Sequence, residues 1–425
     1  MHTHKYTHEA GASLILNEMD SLTQIILGAA TGEAAKGKKL GNKAMFWGAV
    51  GGTIPDLDVL IGSTLQKLGF VDEMWALAFH RHITHSLFFA CTMPFLLAAM
   101  VNWHYKNPNR KYVSYTGSML VFALIGFAMN YVAYVLGGEN INFGVLGGTG
   151  LVGALLAFFF YKRFFTRKLT EVNASWQDFA WVFFWSIFTH PLLDCCTTYG
   201  TQLFQPFSDY RVAFNNVAVA DLFYTLPFLL CLIGARLFLK NTYWRKFLLW
   251  LGIGWSCVYL LWTVYNKHQV NQVFEKSLQA QGIEYQRYMT SPALFSNFLW
   301  TGTAEGKDAY YQSSYSKFDK DPLIPKFTIL LKNHDWIKQY EDEKTIKTLK
   351  WFSNDYYSIL KREDGKLQLN DLRFGTFVDT EIPKEDEYVF RFILEEKNGK
   401  LEAHEGDRNR GDGIFKALYE RTMGK

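Results

Sequence analysis

Thr53-Ile54-Pro55-Asp56-Leu57-Asp58 and, after a short connection, Phe79-His80-Arg81-His82-Ile83-Thr84-His85-Ser86 are the stretches on which the reading of this chain turns. Two carboxylates one residue apart are followed by three histidines at spacings of two and three, each cluster at the edge of a strongly apolar run. Carboxylate oxygens and imidazole nitrogens converging on one place are what a hydrolytic divalent metal needs. Charged groups at a membrane boundary are costly unless they are used.

Around these motifs the chain falls into two halves. Residues 1–266 hold 19 of the 44 Lys+Arg and 14 of the 40 Asp+Glu, and residues 267–425 hold the rest. The first half reads as a membrane domain and the second as a soluble one. A formal charge of +4, dispersed along the chain, gives no reason to expect nucleic-acid binding. The five cysteines, Cys91, Cys195, Cys196, Cys231 and Cys257, all lie in the apolar half and indicate no disulfide framework. Residues 1–18 are polar and His-rich without a signal-peptide layout, so a disordered extension is expected there.

Apolar runs at about 21–35, 44–61, 83–103, 113–136, 145–161, 179–197, 219–239 and 247–265 predict a mainly α, polytopic transmembrane bundle of about eight segments over 19–266. The first two are short and Gly-rich, which suggests broken or re-entrant helices. The connections 36–43, 104–111, 162–168 and 240–246 hold 14 Lys/Arg against three in the alternate ones. With eight spans, the positive-inside rule makes the basic loops cytoplasmic and places Asp20, Asp56, Asp58, the three histidines, Asp194 and Asp221 near the opposite face. Residues 267–425 read as a small soluble α+β domain, extracytoplasmic on the same count. Its signals are a helix at 268–288, a strand at Lys326–Leu331, hairpin turns at Asp364-Gly365 and Asn398-Gly399, and a closing helix near 413–423.

A third cluster, Thr189-His190-Pro191-Leu192-Leu193-Asp194, puts His190 and Asp194 four apart on one helix face. A buried structural His–Asp pair has the same spacing. His82 and His85 would share a face if their segment is helical, with His80 reaching the same site. Arg81 is open between neutralising a substrate phosphate and sitting among headgroups. Asp221 is open between ligand, base and helix cap, and Asp20 reads first as an N-cap. Cys195 and Cys196 are read as packing rather than soft-metal ligands.

Together these residues resemble the YdjM-like family of bacterial inner-membrane proteins, classed as metal-dependent hydrolases. The family pattern meets this chain at Asp20/Thr23, at Pro55-Asp56-Leu57-Asp58, at His80-Arg81-His82-Ile83-Thr84-His85-Ser86, and at His190–Asp194 with Thr198 and Gly200, over about residues 19–230. Phe298-Leu299-Trp300 and Asp371-Leu372-Arg373-Phe374-Gly375 resemble longer members. One departure is Gln24, where the family commonly has His; His82 is a candidate to compensate.

The resemblance implies a hydrolase. The leading expectation is therefore an inner-membrane enzyme holding one or two divalent ions, zinc or manganese, through Asp56, Asp58, His80, His85, His190 and Asp194. Asp221 or His82 would accept a proton from metal-bound water. A site at the bilayer surface suits an amphiphilic substrate met among membrane lipids, such as a phospholipid or a lipid-linked phosphoester. Two other classes fit the same residues: a metal or proton transporter, and a scaffold whose metal only staples helices. The soluble domain is open between lid, substrate receiver and partner platform.

Overall fold

The computed structural model describes residues 10–136, 143–166, 172–376, 383–397, 400–406 and 414–424, with Ala10–Asp20 in backbone only. Residues 1–9 of the expected extension, the connection at 137–142, Arg167 and Lys168 of a basic loop, and the Asn398-Gly399 turn lie outside them. Ten helices build the first part: α1 (Ala10–Leu40), α2 (Asn42–Thr53), α3 (Leu57–Lys67), α4 (Glu73–Phe79), α5 (Leu87–Lys106), α6 (Arg110–Leu136), α7 (Phe143–Tyr161), α8 (Trp176–Asp194), α9 (Leu222–Leu237) and α10 (Tyr243–Ala280).

The packing starts from glycine. Gly28 and Gly32 on α1 face Gly48 and Gly52 on α2, each pair four apart and so on one helix face. A Cβ on Gly48 would lie 2.3 Å from the Gly28 carbonyl oxygen, and one on Gly52 2.4 Å from the Gln24 oxygen. The two backbones therefore touch, a contact only small residues permit. Gly51 repeats the device towards α8, where a Cβ would lie 2.1 Å from Ser186 Oγ. At the far end, α10 is tied to α1 by a buried ion pair, Arg245 Nε to Glu33 Oε1 at 2.7 Å.

Eight spans are not what these helices provide. Among the described residues three are long and apolar enough to cross a membrane: Leu87–Lys106, Phe143–Thr166 and Tyr243–Ala280. The pair α2 and α3, bent by 42° at Ile54–Asp56, makes a fourth if it counts as one span. At 1.5 Å per residue the 16 residues of α9 reach about 24 Å, short of a ~30 Å hydrocarbon core. The last turns of α1 carry Glu33, Lys36, Lys38 and Lys39, and α8 carries Asp178, His190 and Asp194. Run length registers apolar residues; it does not register that these helices are bundled around charges.

Basic residues nonetheless collect at one end. Lys36 and Lys39 pair with Asp178 at 3.1 and 2.5 Å, and Lys43 has Arg163, Lys240 and Arg110 as neighbouring cations.

The span and the expected 268–288 helix are one 38-residue element, α10, which ends at Ala280. Gly282, with φ +66, supplies the left-handed conformation that closes it. Two four-stranded antiparallel sheets follow, each in sequential order. The first holds β1 (Arg287–Pro292), β2 (Leu299–Glu305), β3 (Ala309–Ser316) and β4 (Thr328–Leu331). The second holds β5 (Tyr357–Lys361), β6 (Leu367–Asp371), β7 (Arg391–Lys397) and β8 (Lys400–Glu405). Between them lies α11 (Lys344–Ser353), and α12 (Ile414–Thr422) is the last helix. The α+β expectation holds, including the turn at Gly365 (φ +85) between β5 and β6.

If backbone contact between α1 and α2 sets the bundle, Gly48→Leu should destabilise it by roughly 1–3 kcal/mol or prevent folding. Gly117→Leu on α6, where a Cβ meets nothing within 4 Å, should leave the midpoint of thermal unfolding in detergent unchanged.

Candidate metal centre

The break between α2 and α3 puts Asp56 and Asp58 at the end of the bundle opposite the basic cluster. After α4, His80 is extended and Arg81 adopts a left-handed conformation (φ +58), followed by one 3-10 turn, Ile83–His85. Ser86 then caps α5, its hydroxyl accepting from Phe89 N–H at 3.1 Å. The segment is thus not a regular helix, and His82 and His85 do not share a face. On α8 the expected i, i+4 pair is present, with His190 and Asp194 both buried.

Three of the expected ligands converge as a candidate metal-binding group: Asp56, His85 and His190. The two Nε2 atoms are 3.1 Å apart, and Asp56 Oδ1 lies 3.3 Å from that of His85 and 3.4 Å from that of His190. Asp194 Oδ2 is 3.2 and 3.4 Å from the same two nitrogens.

The tautomers follow from what stands behind each ring. His190 Nδ1 lies 2.7 Å from the Gly52 carbonyl oxygen, which only accepts, so that nitrogen carries the hydrogen. His85 Nδ1 lies 3.3 Å from Asp58 Oδ2 and 3.1 Å from Thr84 Oγ1. The Thr84 hydroxyl already donates to that Asp58 oxygen at 3.0 Å, leaving His85 Nδ1 as the donor. As neutral imidazoles, both therefore aim Nε2 lone pairs at one point, together with two carboxylate oxygens. Asp194 Oδ2 is buried and has no hydrogen-bond partner among the described residues.

Acceptors so arranged repel one another, and a cation among them removes the conflict. A circle through three atoms separated by 3.1, 3.3 and 3.4 Å has a radius of about 1.9 Å, close to ordinary metal–nitrogen and metal–oxygen distances of ~2.0–2.2 Å. The donor set fits a divalent ion.

The remaining expected ligands stand behind this group. Asp58, buried, accepts from the Arg81 backbone N–H at 2.9 Å, and its Oδ1 lies 3.1 Å from His80 Nδ1. Asp58 and His80 thus orient His85, the carboxylate–histidine arrangement that fixes a metal ligand's tautomer. Arg81 is 3% exposed, too deep for headgroups; its guanidinium lies 3.4 Å from Asp194 Oδ1 and donates to Thr197 Oγ1 at 2.8 Å. Gln24, its Oε1 buried without a hydrogen-bond partner among the described residues, stands beside Asp194. It donates Nε2–H to Asp194 Oδ1 at 2.8 Å and to the His190 carbonyl at 3.2 Å.

The other candidates lie apart. Asp221 caps α9, accepting from Phe223 and Tyr224 N–H at 3.0 and 3.2 Å and from the Tyr259 hydroxyl at 2.7 Å. Burial raises its pKa to about 6 against those bonds. His82 stacks on Phe79 at 6.3 Å, and burial lowers its pKa. Burial pushes the Cys195 and Cys196 thiols up to about 12 and 11, in keeping with packing. Asp20 lies inside α1, so it is not that helix's N-cap; its side chain is outside the described residues. Sequence reasoning missed the Gly52 carbonyl and Thr84. The carbonyl has no residue-type signature, whereas Thr84 stood inside the histidine motif.

Asp58→Asn, which leaves every converging atom in place, should weaken metal binding by ~10–100-fold in competition with a chromophoric chelator. Unchanged affinity would remove Asp58 from this supporting role.

No curated protein and no solved structure matches the chain. A family model, that of the YdjM inner membrane protein, matches residues 19–138 and 143–270. The match takes in all the motifs of the centre and stops short of the sheets. Covering more than half of the chain, it makes this protein a member of the YdjM inner membrane protein family.

Proposed function

We propose that the protein is a membrane-embedded metal-dependent hydrolase acting at the bilayer surface on an amphiphilic phosphoester. The observation that carries the reading is the convergence of Asp56, His85 and His190 on one point. The Asp56 side chain is 15% exposed, whereas those of His85 and His190 are fully buried. Three protein ligands with one free position is the layout of catalytic rather than structural sites. Nitrogen and oxygen ligands without thiolate suit zinc or manganese, and the spacing suits one ion.

When bound, such an ion supplies a hydroxide at neutral pH by lowering the pKa of its water from 15.7 towards about 7. The chain does the rest. Asp58 and the Gly52 carbonyl hold the two imidazoles in the ligating tautomer. Arg81 and Gln24 balance and fix Asp194. His82 and Asp221 both lie apart from the converging atoms: His82 stacks on Phe79, and Asp221 is committed to capping its helix.

Two observations favour an amphiphilic substrate. α3, which starts next to Asp56, exposes Leu60 (63%), and beyond it Phe70 is 74% exposed; Phe207 is 85% exposed after the α8 motif. Apolar surface beside the opening suits acyl or prenyl chains. The basic end lies opposite the centre along α1, α2, α5 and α8, which by the positive-inside rule supports an extracytoplasmic centre and C-terminal domain.

Asp194 Oδ2 supports a second reading, because as a fourth ligand it would close the site into a helix staple. One experiment separates the two. Metal-loaded protein in nanodiscs is offered phospholipids and lipid-linked phosphoesters, and release of the phosphoryl or alcohol product is followed. Turnover that disappears in Asp56→Ala is expected. Bound metal without turnover, and an unchanged lipid profile in a deletion strain, would favour the staple.

A further inference from the structure

The C-terminal domain reaches the centre by two routes. The first is α4. Met74 is buried in the domain's own core with Ile346, Leu349, Phe352, Leu369 and Phe392, and Leu77 packs against it. The Glu73 carboxylate accepts from the Glu405 backbone N–H at 2.6 Å and lies 3.2 Å from His404 Nδ1. α4 is therefore a membrane-half helix seated in the soluble domain, and it ends at Phe79, immediately before His80 and Arg81.

The second route is Tyr199. Its ring meets His80 edge-on at 5.0 Å on one side and Phe352 of α11 at 5.2 Å on another. The Arg81 guanidinium lies 5.1 Å from the ring. Arg211 stands between the domains, 4.6 Å from the Tyr199 ring, 4.9 Å from Trp351 and 4.7 Å from Phe352, and donates to the Tyr199 carbonyl. Arg373, paired with Asp371 at 2.6 Å, donates to the Thr198 carbonyl at 3.3 Å. Guanidinium–aromatic contacts of this kind are attractive, the more so when partly enclosed.

We propose that the C-terminal domain is the positioning device of the metal centre: seating α4 and Tyr199 holds His80 and Arg81, and through them Asp58 and Asp194, in the geometry that binds the ion. This rests on the metal reading of the centre. Tyr199 is a positioning residue, since it touches the atoms that orient ligands and none of the converging ones. Its ring, between His80 and Phe352, is the part that transmits the contact. The domain thus sets metal affinity from a distance, and whatever displaces α11 from Tyr199 loosens the centre.

The test uses the full chain in detergent with cobalt as the probe, for Tyr199→Leu, Arg211→Gln and Tyr199→Phe, each checked for an intact thermal transition. Cobalt affinity, the cobalt absorption spectrum and amide exchange over residues 79–86 are measured. Tyr199→Leu and Arg211→Gln should each bind cobalt several-fold to about tenfold more weakly, with an altered spectrum and faster exchange over 79–86. Tyr199→Phe, which keeps the ring, should behave as wild type. A folded Tyr199→Leu with wild-type affinity and exchange overturns the proposal, as does a Tyr199→Phe that loses as much as Tyr199→Leu. Wild-type protein that binds no cobalt overturns the metal reading itself and this inference with it, a failure visible before any substitution is made.

Discussion

Two imidazole Nε2 atoms and two carboxylate oxygens converge inside this protein, and the hydrogens of both Nδ1 atoms are committed elsewhere. The Gly52 carbonyl takes the hydrogen of His190 Nδ1, and Asp58 takes that of His85. Gln24 and Arg81 address the other oxygen of Asp194. With both imidazoles neutral these lone pairs oppose one another, whereas a positive charge among them, a proton on His190 or a cation, makes the contacts favourable. A divalent cation turns the same contacts into attraction. Residues from five separate segments meet at this end of the bundle as a candidate metal-binding group.

The glycine contact makes the meeting geometrically feasible. Gly52 can present its carbonyl to His190 only because α2 lies against α1 without side chains between them and against α8 through Gly51. The same helices carry their lysines at the opposite end, so one set of packing contacts separates a basic face from an acid–histidine face. Membership of an inner-membrane family and three or four helices fit to span fix where this bundle resides. The C-terminal domain completes it by enclosing α4 and leaning on Tyr199.

Much of the site was legible in the sequence. Asp56, His85 and His190 meet in one candidate metal-binding group, with Asp194 beside them. They stand out in the sequence because polar residues at the edges of apolar runs have few structural uses. The soluble half was legible too, through its charge and its Asp364-Gly365 turn. The misreadings have specific causes. Hydropathy counted α1, α6, α8 and α9 as spans, although α9 is short, α1 and α8 carry charges into the bundle, and α6 is not among the described helices apolar enough to cross. A shared face for His82 and His85 needs a helical period across 80–86, which the left-handed Arg81 breaks. Asp58 and His80 were indistinguishable from ligands by type, because the difference is whether a donor stands behind the side chain. Gln24 marks a departure from the family by type alone, and only the structure shows that its amide hydrogens hold Asp194.

The most direct test is the metal content of protein purified without chelators, read by elemental analysis together with X-ray absorption at the edge of the metal found. The account predicts about one zinc or manganese per chain, with two imidazole nitrogens in its coordination shell. It also predicts loss of that ion in His85→Ala and in His190→Ala. A folded wild-type protein free of divalent metal, or a metal retained in both variants, would contradict it.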